Sequence, residues 1–435
     1  IIKGGGPLYG DVNISGSKNA SLPILAASLL TNKPVILSNI PHLTDIVTMN
    51  QLLLAHGIDL KINTCGGVGK NITITAADIN NFTADYELVQ RMRASVVVLG
   101  PLLARFGQAK VSLPGGCAIG ARPIDFHLDA FRLMGADIKL EHGYIIATTH
   151  GKKLKAADIT LKLPSVGATE NILSAATLAV GTTTIKNVAK EPEITALARF
   201  LQQMGAKIDG VGTSTLIIEG VDSLGGAEYS VPADRIEAVT YAIAAAITGG
   251  EITLRQTCFD DIGYILKLLT PVGVEYELLA DGGIKCYRAS EGLKPISMAT
   301  GFFPGFPTDL QAQLMALLAV TPGKSVIEEK IFENRMMHVA ELNRLGANIE
   351  LENNTAIING VHELNGAQVR ATDLRASAGL ILAGLAAHDV TIISDPHFVD
   401  RGYEGIEYKL KRCGANIERI PSGAVVNFSK KTIVA

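Results

Sequence analysis

Six copies of one short pattern constrain how this chain can fold. Each copy has an amphipathic helical stretch, a junction that contains a glycine, and a strand-like stretch. The junction glycines are separated by 78, 70, 68, 73 and 68 residues, and they are Gly57, Gly135, Gly205, Gly273, Gly346 and Gly414. A glycine between a helix and a strand is typical of a helix C-terminal cap. We therefore expect six similar units.

A second helix precedes the amphipathic one in each unit. It is rich in Ala and Leu and apolar on several faces, which predicts burial, and its copies fall at 17–30, 86–106, 165–180, 232–248, 306–320 and 371–387. A β-branched strand follows each copy, so the unit is helix–strand–helix–strand–strand. The simplest way to bury these helices is to form two α/β lobes of three units each. In each lobe, sheets would surround the buried helices.

The lobe boundaries follow from the order of the units. Residues 1–16 precede the first helix and have no unit of their own, so we expect them to complete the last one. The chain then passes from one lobe to the other twice. This predicts one lobe of residues 18–231, which carries repeats 1–3, and another of residues 1–17 plus 232–435. The cleft between the lobes is the expected active site.

Composition excludes several classes of protein. A net charge of −3 provides no broad basic field for nucleic acid. The N-terminus shows no secretory signal, and the apolar runs are too short to cross a bilayer. Five scattered cysteines without a C-x-x-C pair argue against a disulfide framework or a zinc site. We expect a cytoplasmic protein with no nucleic-acid partner, no membrane contact and no metal.

Charged and polar residues cluster at helix starts. The set comprises Lys18, Asn19, Arg91, Arg93, Arg122, Asp309, Arg335, Arg375 and Arg401. A cation near a helix N-terminus opposes the helix dipole, which costs about 0.3–1 kcal/mol. Any one of these arginines alone fits a solvated surface position. Their recurrence at equivalent positions of the repeats predicts instead a shared anion, either phosphate or carboxylate.

A glycine-rich segment, residues 113–123, contains Cys117 and Arg122 and is called the Cys117 loop below. It has the period of neither a helix nor a strand, which predicts a mobile surface loop. Arg122 could lower the pKa of the Cys117 thiol or hold an anion beside it. The alternative is a buried cysteine in an ordinary turn, and the loop alone favours that alternative.

Asp309 is the carboxylate that we single out. It follows an aromatic, proline-rich segment that would limit water, and partial desolvation would raise its pKa towards that of a general base. The alternative is a helix cap, which we expect for Asp45, Asp234 and Asp373. His127 and His338 are predicted to be neutral hydrogen-bonding residues. No phosphate-binding or dinucleotide-binding glycine motif is present, so ATP or NAD chemistry is not indicated.

Eight stretches then carry a family resemblance that spans essentially the whole chain. They are SGSKNASLPIL (15–25), QRMRAS (90–95), SLPGGCAIGARPIDFH (112–127), PSVGATENI (164–172), FPTDLQAQ (306–313), FENRMMHV (332–339), ATDLRASAGL (371–380) and DRGYEGIE (400–407). The chain resembles the enolpyruvyl transferases that act on UDP-N-acetylglucosamine. The resemblance implies an inside-out α/β barrel in each lobe, transfer from phosphoenolpyruvate to the sugar 3′-hydroxyl with release of phosphate, and no metal or organic cofactor.

The resemblance also implies residue roles. Cys117 corresponds to the family's proton donor, the thiol that fosfomycin alkylates, and Asp309 corresponds to the base. Lys18, Arg122 and Arg401 would surround phosphoenolpyruvate, and Arg335 and Arg375 would help hold the anionic centre. The implied nucleotide-sugar contacts are Asn19, Arg93, Arg122, Pro123, Ile124, Asp125, Phe126, Ser165, Val166 and Ile331. At Leu163 and Pro164 the chain lacks a lysine-valine pair found in some relatives.

Two other functions stay open at this point. A related enzyme would transfer the same group to shikimate 3-phosphate. The Cys117 loop and the PSVGATENI stretch argue against this activity. A catalytically silent relative would bind the UDP-sugar and regulate, but it should lack one of the reactive residues, and here all are present. Phosphate release with each acceptor separates the three.

Overall fold

The fold is mixed α/β. The structure, a computed structural model, describes residues 1–63, 69–114, 119–120 and 124–420, together with the backbone of 425–427 and 432–434. Cys117, Arg122 and Pro123 lie outside the described residues.

The described chain forms thirteen α-helices and five short 3₁₀ helices. The α-helices are α1 Lys18–Ala27, α2 Thr44–Ala55, α3 Tyr86–Val89, α4 Leu99–Phe106, α5 Asp125–Leu133, α6 Val166–Ala176, α7 Pro192–Gln203, α8 Arg235–Thr248, α9 Phe259–Leu269, α10 Gln311–Ala319, α11 Val339–Arg344, α12 Leu374–Ala386 and α13 Ile406–Arg412. The 3₁₀ helices are Ser28–Leu30, Arg93–Val98, Thr270–Val272, Thr308–Leu310 and Pro396–Arg401.

Twenty-six strands occur in the same described ranges. They are β1 Ile2–Lys3, β2 Tyr9–Asn13, β3 Val35–Ile40, β4 Asp59–Asn63, β5 Lys70–Thr75, β6 Thr83–Ala84, β7 Gln108–Ser112, β8 Asp137–Glu141, β9 Tyr144–Thr148, β10 Asp158–Thr160, β11 Thr182–Lys186, β12 Lys207–Asp209, β13 Thr215–Glu219, β14 Ala227–Ser230, β15 Glu251–Arg255, β16 Val274–Leu278, β17 Ile284–Arg288, β18 Ser297–Ala299, β19 Gly323–Glu328, β20 Asn348–Glu352, β21 Thr355–Gly360, β22 Gln368–Arg370, β23 Val390–Ser394, β24 Asn416–Ile417, β25 Val425–Asn427 and β26 Thr432–Val434.

Six sheets of four strands share one arrangement. The first two strands are parallel and the next two pairings are antiparallel, in the orders β14-β3-β5-β4, β6-β7-β9-β8, β10-β11-β13-β12, β2-β15-β17-β16, β18-β19-β21-β20 and β22-β23-β1-β24. The sixth sheet takes its third strand from the start of the chain. Ile2 pairs there with Thr391 on one side and with Ile417 on the other.

The six junction glycines adopt the conformation that a helix C-terminal cap requires. Their φ angles lie between 90° and 103°, in the left-handed region. Only glycine adopts this conformation without a steric penalty. The prediction that each glycine turns a helix into a strand is therefore confirmed.

Two separate hydrophobic clusters form the core. One draws its residues from 20–231, and the other from 2–14 and 236–417. Helices α8, α10 and α12 are buried along almost their whole length, which agrees with their apolar sequences. Within the described ranges, no helix combines the length and the apolar character that crossing a membrane requires.

Two segments of the chain run side by side between the clusters. Ser17 N donates to Pro232 O at 2.7 Å, and Asp234 N donates to Ser15 O at 2.8 Å. Asp234 also accepts from the backbone nitrogen of Lys18 at 3.2 Å while it caps the start of α8. This pairing holds the N-termini of α1 and α8 next to each other, beside the candidate site.

Candidate active site

Asp309 lies at the centre of the first group of predicted site residues. Arg375 Nη2 donates to its Oδ2 at 2.8 Å, and Arg335 Nη2 lies 2.8 Å from its Oδ1. Asn19 Nδ2 is 3.5 Å from Oδ2. Four residues that are far apart in the sequence therefore meet at one carboxylate.

Asp45 organises a second ion-pair group. Arg401 Nε donates to its Oδ1 at 2.9 Å, and Lys18 Nζ lies 3.4 Å from its Oδ2. The prediction that Asp45 caps a helix is wrong, because its side chain makes no capping bond at the start of α2 and faces these two cations. The sequence offered no signal for this role, since an acidic residue in a first helical turn is common.

Helix capping positions Lys18 and Arg375. The Oγ of Ser17 accepts from Ala20 N at 3.2 Å and starts α1 at Lys18. Asp373 accepts from the backbone nitrogen of Arg375 at 2.9 Å and starts α12. Both basic residues therefore lie in the first turn of a buried helix, as predicted, and the cap predictions for Asp234 and Asp373 are confirmed.

Arg335 is held by a chain of polar contacts. Its Nη1 donates to Thr308 Oγ1 at 3.0 Å, and Thr308 in turn donates to Glu329 Oε2 at 2.8 Å. The other oxygen of Glu329 accepts from the backbone nitrogen of Ile331 at 2.8 Å. Ile331 is therefore connected to the segment around Asp309. Glu329, which sequence reasoning missed, makes this connection.

The electrostatics at Asp309 contradict the predicted raised pKa. Burial does act to raise the pKa of this carboxyl, but Arg375, Arg335 and Lys18 together hold it well below its usual range. The alternative, a helix cap, is also wrong, because Asp309 lies within the 3₁₀ helix Thr308–Leu310 and makes no capping bond. In this state Asp309 is a strongly ion-paired anion.

Four cations pair with two carboxylates in the described part of the site. Lys18 and Arg401 pair with Asp45, and Arg335 and Arg375 pair with Asp309. Arg375 is 2% exposed, and no described residue accepts a hydrogen bond from its Nη1. A buried guanidinium nitrogen without an acceptor is costly. The arrangement is therefore suited to bind an anion.

The predicted nucleotide-sugar residues of the first 170 positions lie at other helix starts. Ser165 caps α6 by accepting from Ala168 N at 3.3 Å. The remaining members are Arg93 at the start of a 3₁₀ helix, Val166 in the first turn of α6, Ile124 before α5, and Asp125 and Phe126 within its first turn. Arg91 precedes the 3₁₀ helix, so the predicted second buried helix is broken into several pieces.

The described end of the Cys117 loop contacts the segment that carries Arg335. Asn334 N donates to Ile119 O at 3.1 Å, and a Cβ on Gly120 would lie 2.5 Å from Glu333 Oε2. Ile119 belongs to the first half of the chain and Asn334 to the second. This contact brings residue 119 next to the anion-binding group, whereas Cys117, Arg122 and Pro123 lie outside the described residues.

Two buried histidines predict a loss of stability in mild acid. Burial lowers the pKa of His127 and of His338 to about 4, against roughly 6.5 in an unfolded chain. Between these values the unfolded chain binds protons that the folded chain does not, so the free energy of unfolding falls as the pH falls. From pH 7 to pH 5, each histidine should account for about 2 kcal/mol.

Urea unfolding at both pH values measures this effect. The variant His338→Asn should lose about 2 kcal/mol less than the wild type between pH 7 and pH 5. His362→Asn is the matched control, since that side chain is fully exposed. Equal losses in the His338 variant and the wild type would contradict the prediction.

Metal-binding side chains do not cluster in the parts of the chain described above. No group of three or more His, Cys, Asp or Glu residues there could hold a metal ion. The described free cysteines are Cys258, Cys286 and Cys413.

Comparison with known proteins shows the family of this chain. The family described as EPSP synthase (3-phosphoshikimate 1-carboxyvinyltransferase) matches residues 2–410. The chain therefore belongs to this family of enolpyruvyl transferases. The crystal structure of the enolpyruvyl transferase NikO from Streptomyces tendae is similar with a TM-score of 0.85 at 25% identity, covering 96% of this chain and 97% of that one.

Sequence relatives of this chain define its group within the family. A protein of Paramagnetospirillum magneticum is 54% identical over 427 residues, which is 97% of this chain and 98% of the relative. A protein of Granulibacter bethesdensis is 53% identical over 419 residues, or 96% and 98%. Both are named UDP-N-acetylglucosamine 1-carboxyvinyltransferase. Within the enolpyruvyl transferases, the chain belongs to the group that carries this name.

Proposed function

We propose that this enzyme transfers the enolpyruvyl group of phosphoenolpyruvate to the 3′-hydroxyl of UDP-N-acetylglucosamine and releases phosphate. This reaction is the first committed step of peptidoglycan synthesis. The observation that carries the proposal is the group of four cations around Asp309 and Asp45, which comes from both halves of the chain. The names of relatives that match nearly the whole chain support the same substrates.

The cations provide sites for the two anionic groups of phosphoenolpyruvate. Lys18 and Arg401, with Arg122, would bind one end of the molecule, and Arg335 and Arg375 would hold the charge that develops in the reaction. Such preorganised cations stabilise a transition state because they need no reorganisation. The buried Nη1 of Arg375 has no acceptor among the described residues and could donate to a bound anion.

Anion binding would also change the basicity of Asp309. A negative charge beside Arg375 and Lys18 offsets their effect on the carboxyl, so its pKa rises towards the ordinary range. Asp309 would then accept the proton of the sugar 3′-hydroxyl. Its low pKa without substrate is consistent with a base that becomes competent only after the anion binds.

The proposed chemistry is an addition followed by an elimination. In the addition, C3 of phosphoenolpyruvate takes a proton from Cys117, and the sugar oxygen attacks C2 while its own proton passes to Asp309. In the elimination, C3 returns a proton to the Cys117 thiolate, the C2–C3 double bond forms again and phosphate leaves with the C2–O bond electrons. Neither step needs an oxidant or a cofactor.

The nucleotide sugar would lie against helix starts in the first half of the chain. Arg93, Ser165 and Val166 provide a cation and a helix N-terminus, which suit a diphosphate. Asn19 and Ile331 would contact the sugar end near Asp309. The segment 122–126, which comprises Arg122, Pro123, Ile124, Asp125 and Phe126, would contact the nucleoside.

We further propose two lobes, 18–231 and 1–17 plus 232–435, each an inside-out barrel of three units with the site in the cleft between them. The two hydrophobic clusters and the shared strand arrangement support this division. A cytoplasmic location is proposed as well, because the described cysteines are free thiols.

Closure of the lobes on the nucleotide sugar is a testable consequence. UDP-N-acetylglucosamine should bridge both lobes, so adding it should reduce the radius of gyration in small-angle X-ray scattering. Uridine is the control, since it lacks the diphosphate and the N-acetylglucosamine that would reach the second lobe. Identical profiles with and without the nucleotide sugar would contradict closure.

Phosphate release from phosphoenolpyruvate tests the function itself. We expect release with UDP-N-acetylglucosamine, no release with shikimate 3-phosphate, and loss of the activity after treatment with fosfomycin. Phosphate release with shikimate 3-phosphate alone would mean that the protein has the related shikimate 3-phosphate activity. Binding of the nucleotide sugar without any phosphate release would mean that the protein is a catalytically silent regulator.

A further inference from the structure

Arg419 joins two carboxylates at the two ends of the segment 400–407. Its Nη1 donates to Asp400 Oδ2 at 2.8 Å, and its Nη2 donates to Asp400 Oδ1 at 2.7 Å. Its Nε lies 2.8 Å from Glu407 Oε1, and its Nη2 lies 3.3 Å from Glu407 Oε2. One guanidinium therefore bridges both carboxylates, an arrangement that suits the planar fork of arginine and not the point charge of lysine.

The segment 400–407 carries one of the cations of the candidate site. Arg401 follows Asp400 directly and is the last residue of the 3₁₀ helix Pro396–Arg401. Its Nε donates to Asp45 Oδ1 at 2.9 Å, although Asp45 lies 356 residues away in the sequence. Because Asp400 and Arg401 are neighbours in the chain, a restraint on the Asp400 side chain also restrains the backbone from which the Arg401 guanidinium extends.

The backbone between the two carboxylates is well suited to such a restraint. Residues 402–405 connect the 3₁₀ helix to α13 through a turn, and they include Gly402 and Gly405. Gly405 has a φ of 56°, a left-handed conformation that glycine adopts at a large cost in backbone entropy. A Cβ on Gly402 would lie 2.8 Å from Leu374 Cδ2, at the start of α12. The turn therefore combines flexible residues with close packing.

Arg419 itself extends from a paired part of the sixth sheet. It lies two residues after β24, in which Ile417 pairs with Ile2. The backbone nitrogen of Glu418 donates to Ile1 O at 2.8 Å, which continues this pairing up to the residue before Arg419. A side chain that starts from a paired strand holds its partners more precisely than one that starts from a loop.

We propose that Arg419 is a positioning residue for Arg401. By holding Asp400 and Glu407 together, it fixes the backbone that directs the Arg401 guanidinium towards Asp45 and towards phosphoenolpyruvate. The proposal rests on the proposed function for the identity of this anion. A displacement of a substrate-binding group by about 1 Å can cost about 10²-fold in rate, and a partial displacement of Arg401 should cost about tenfold.

Three single variants separate this role from a contribution to stability alone. Arg419→Met keeps an unbranched side chain without the charge, and Arg419→Lys keeps the charge without the fork. Arg255→Met is the matched control, because Arg255 also lies between two carboxylates: its Nη1 is 2.5 Å from Asp281 Oδ2 and its Nε is 3.5 Å from Asp11 Oδ1. The exposed fractions of the two arginine side chains are similar, at 29% for Arg255 and 36% for Arg419.

Steady-state kinetics with each substrate varied in turn measures the effect. Arg419→Met should lower kcat/KM for phosphoenolpyruvate by about tenfold and leave the KM for UDP-N-acetylglucosamine within about twofold of the wild type. Arg419→Lys should fall between the two, and Arg255→Met should match the wild type. Thermal unfolding should show similar small losses for both Met variants. Unchanged kinetics in Arg419→Met, or equal losses for both substrates, would overturn the proposal.

A double-mutant cycle tests whether Arg419 acts through Asp400. Asp400→Asn removes the charge of one partner, so it should lower kcat/KM for phosphoenolpyruvate in the same way as Arg419→Met. The double variant should be no slower than Arg419→Met alone, because residues that act through one interaction have non-additive effects. Losses that multiply in the double variant would contradict this connection.

Hydrogen exchange tests the restraint without any turnover. Backbone amides of residues 400–407 should exchange faster in Arg419→Met than in the wild type, and at the wild-type rate in Arg255→Met. Unchanged exchange in Arg419→Met would refute the restraint. If the wild type releases no phosphate while Arg419→Met exchanges faster in this segment, the proposed function fails and the restraint on Arg401 stands.

Discussion

Replacing Asp309 with asparagine should lower kcat by about a thousandfold or more. The amide cannot accept the hydroxyl proton, and a positioned base accounts for about 10²–10⁴ in rate. Asparagine is preferred to alanine because Arg335 and Arg375 are both buried and would lose the carboxylate that they share. An unpaired buried charge costs about 3–5 kcal/mol, whereas the amide oxygen still accepts one hydrogen bond.

Phosphate release at saturating substrates measures this effect. The matched control is Asp222→Asn, because the Asp222 side chain is fully exposed and makes only a surface ion pair with Lys153. It should retain wild-type turnover. An Asp309→Asn variant that keeps more than about a tenth of the wild-type kcat would remove Asp309 from the role of base.

Replacing Lys18 with alanine should lower kcat/KM for phosphoenolpyruvate by about 10²–10³. Lys18 is largely buried, with 11% of its side chain exposed; burial lowers the pKa of its ammonium, and the carboxylate of Asp45 acts in the opposite direction. Loss of one preorganised donor to a developing charge typically costs this much. The KM for UDP-N-acetylglucosamine should stay within about twofold of the wild type, because that substrate binds mainly to other helix starts.

Lys61→Ala is the control for this change. Its ammonium forms only an exposed pair with Asp59, and exposed pairs of this kind contribute about 0–1 kcal/mol. Steady-state kinetics with each substrate varied in turn distinguishes the two variants. An unchanged kcat/KM for phosphoenolpyruvate in Lys18→Ala would mean that the anion binds elsewhere.

Local sequence rules predicted the helix ends well. The junction glycines and the caps at Asp234 and Asp373 depend on interactions within one turn of the chain, which a sequence displays directly. The same holds for Lys18 and Arg375, since they lie one and two residues after their caps, Ser17 and Asp373. The amino-acid sequence alone is therefore enough to assign these side chains to the first turns of their helices.

Long-range pairing could not be predicted in the same way. Asp45 pairs with Arg401 across 356 residues, and nothing near Asp45 in the sequence distinguishes it from an ordinary first-turn carboxylate. The low pKa of Asp309 has the same origin, because Arg335 and Arg375 approach it from other segments. Desolvation can be anticipated from neighbouring residues, but the cations that outweigh it belong to the tertiary fold.

The break in the predicted second helix follows from a local property of proline. Residues 86–106 are apolar enough to predict one helix, yet Pro101 lies within that stretch. Proline has no N–H to donate and its ring clashes with the carbonyl four residues earlier. The regular helix α4 accordingly begins at Leu99, so that Pro101 falls in its first turn, where the missing N–H costs little.

The insertion of β1 between β23 and β24 has a consequence for biosynthesis. Ribosomes add about 5–20 residues per second, so roughly 20–80 s separate the appearance of Lys3 from that of its partners near residue 390. The first hydrophobic cluster can close during this interval, while the initial strand waits without neighbours. The second hydrophobic cluster is thus completed only after residues 390–417 have been synthesised, when β1 can pair with β23 and β24.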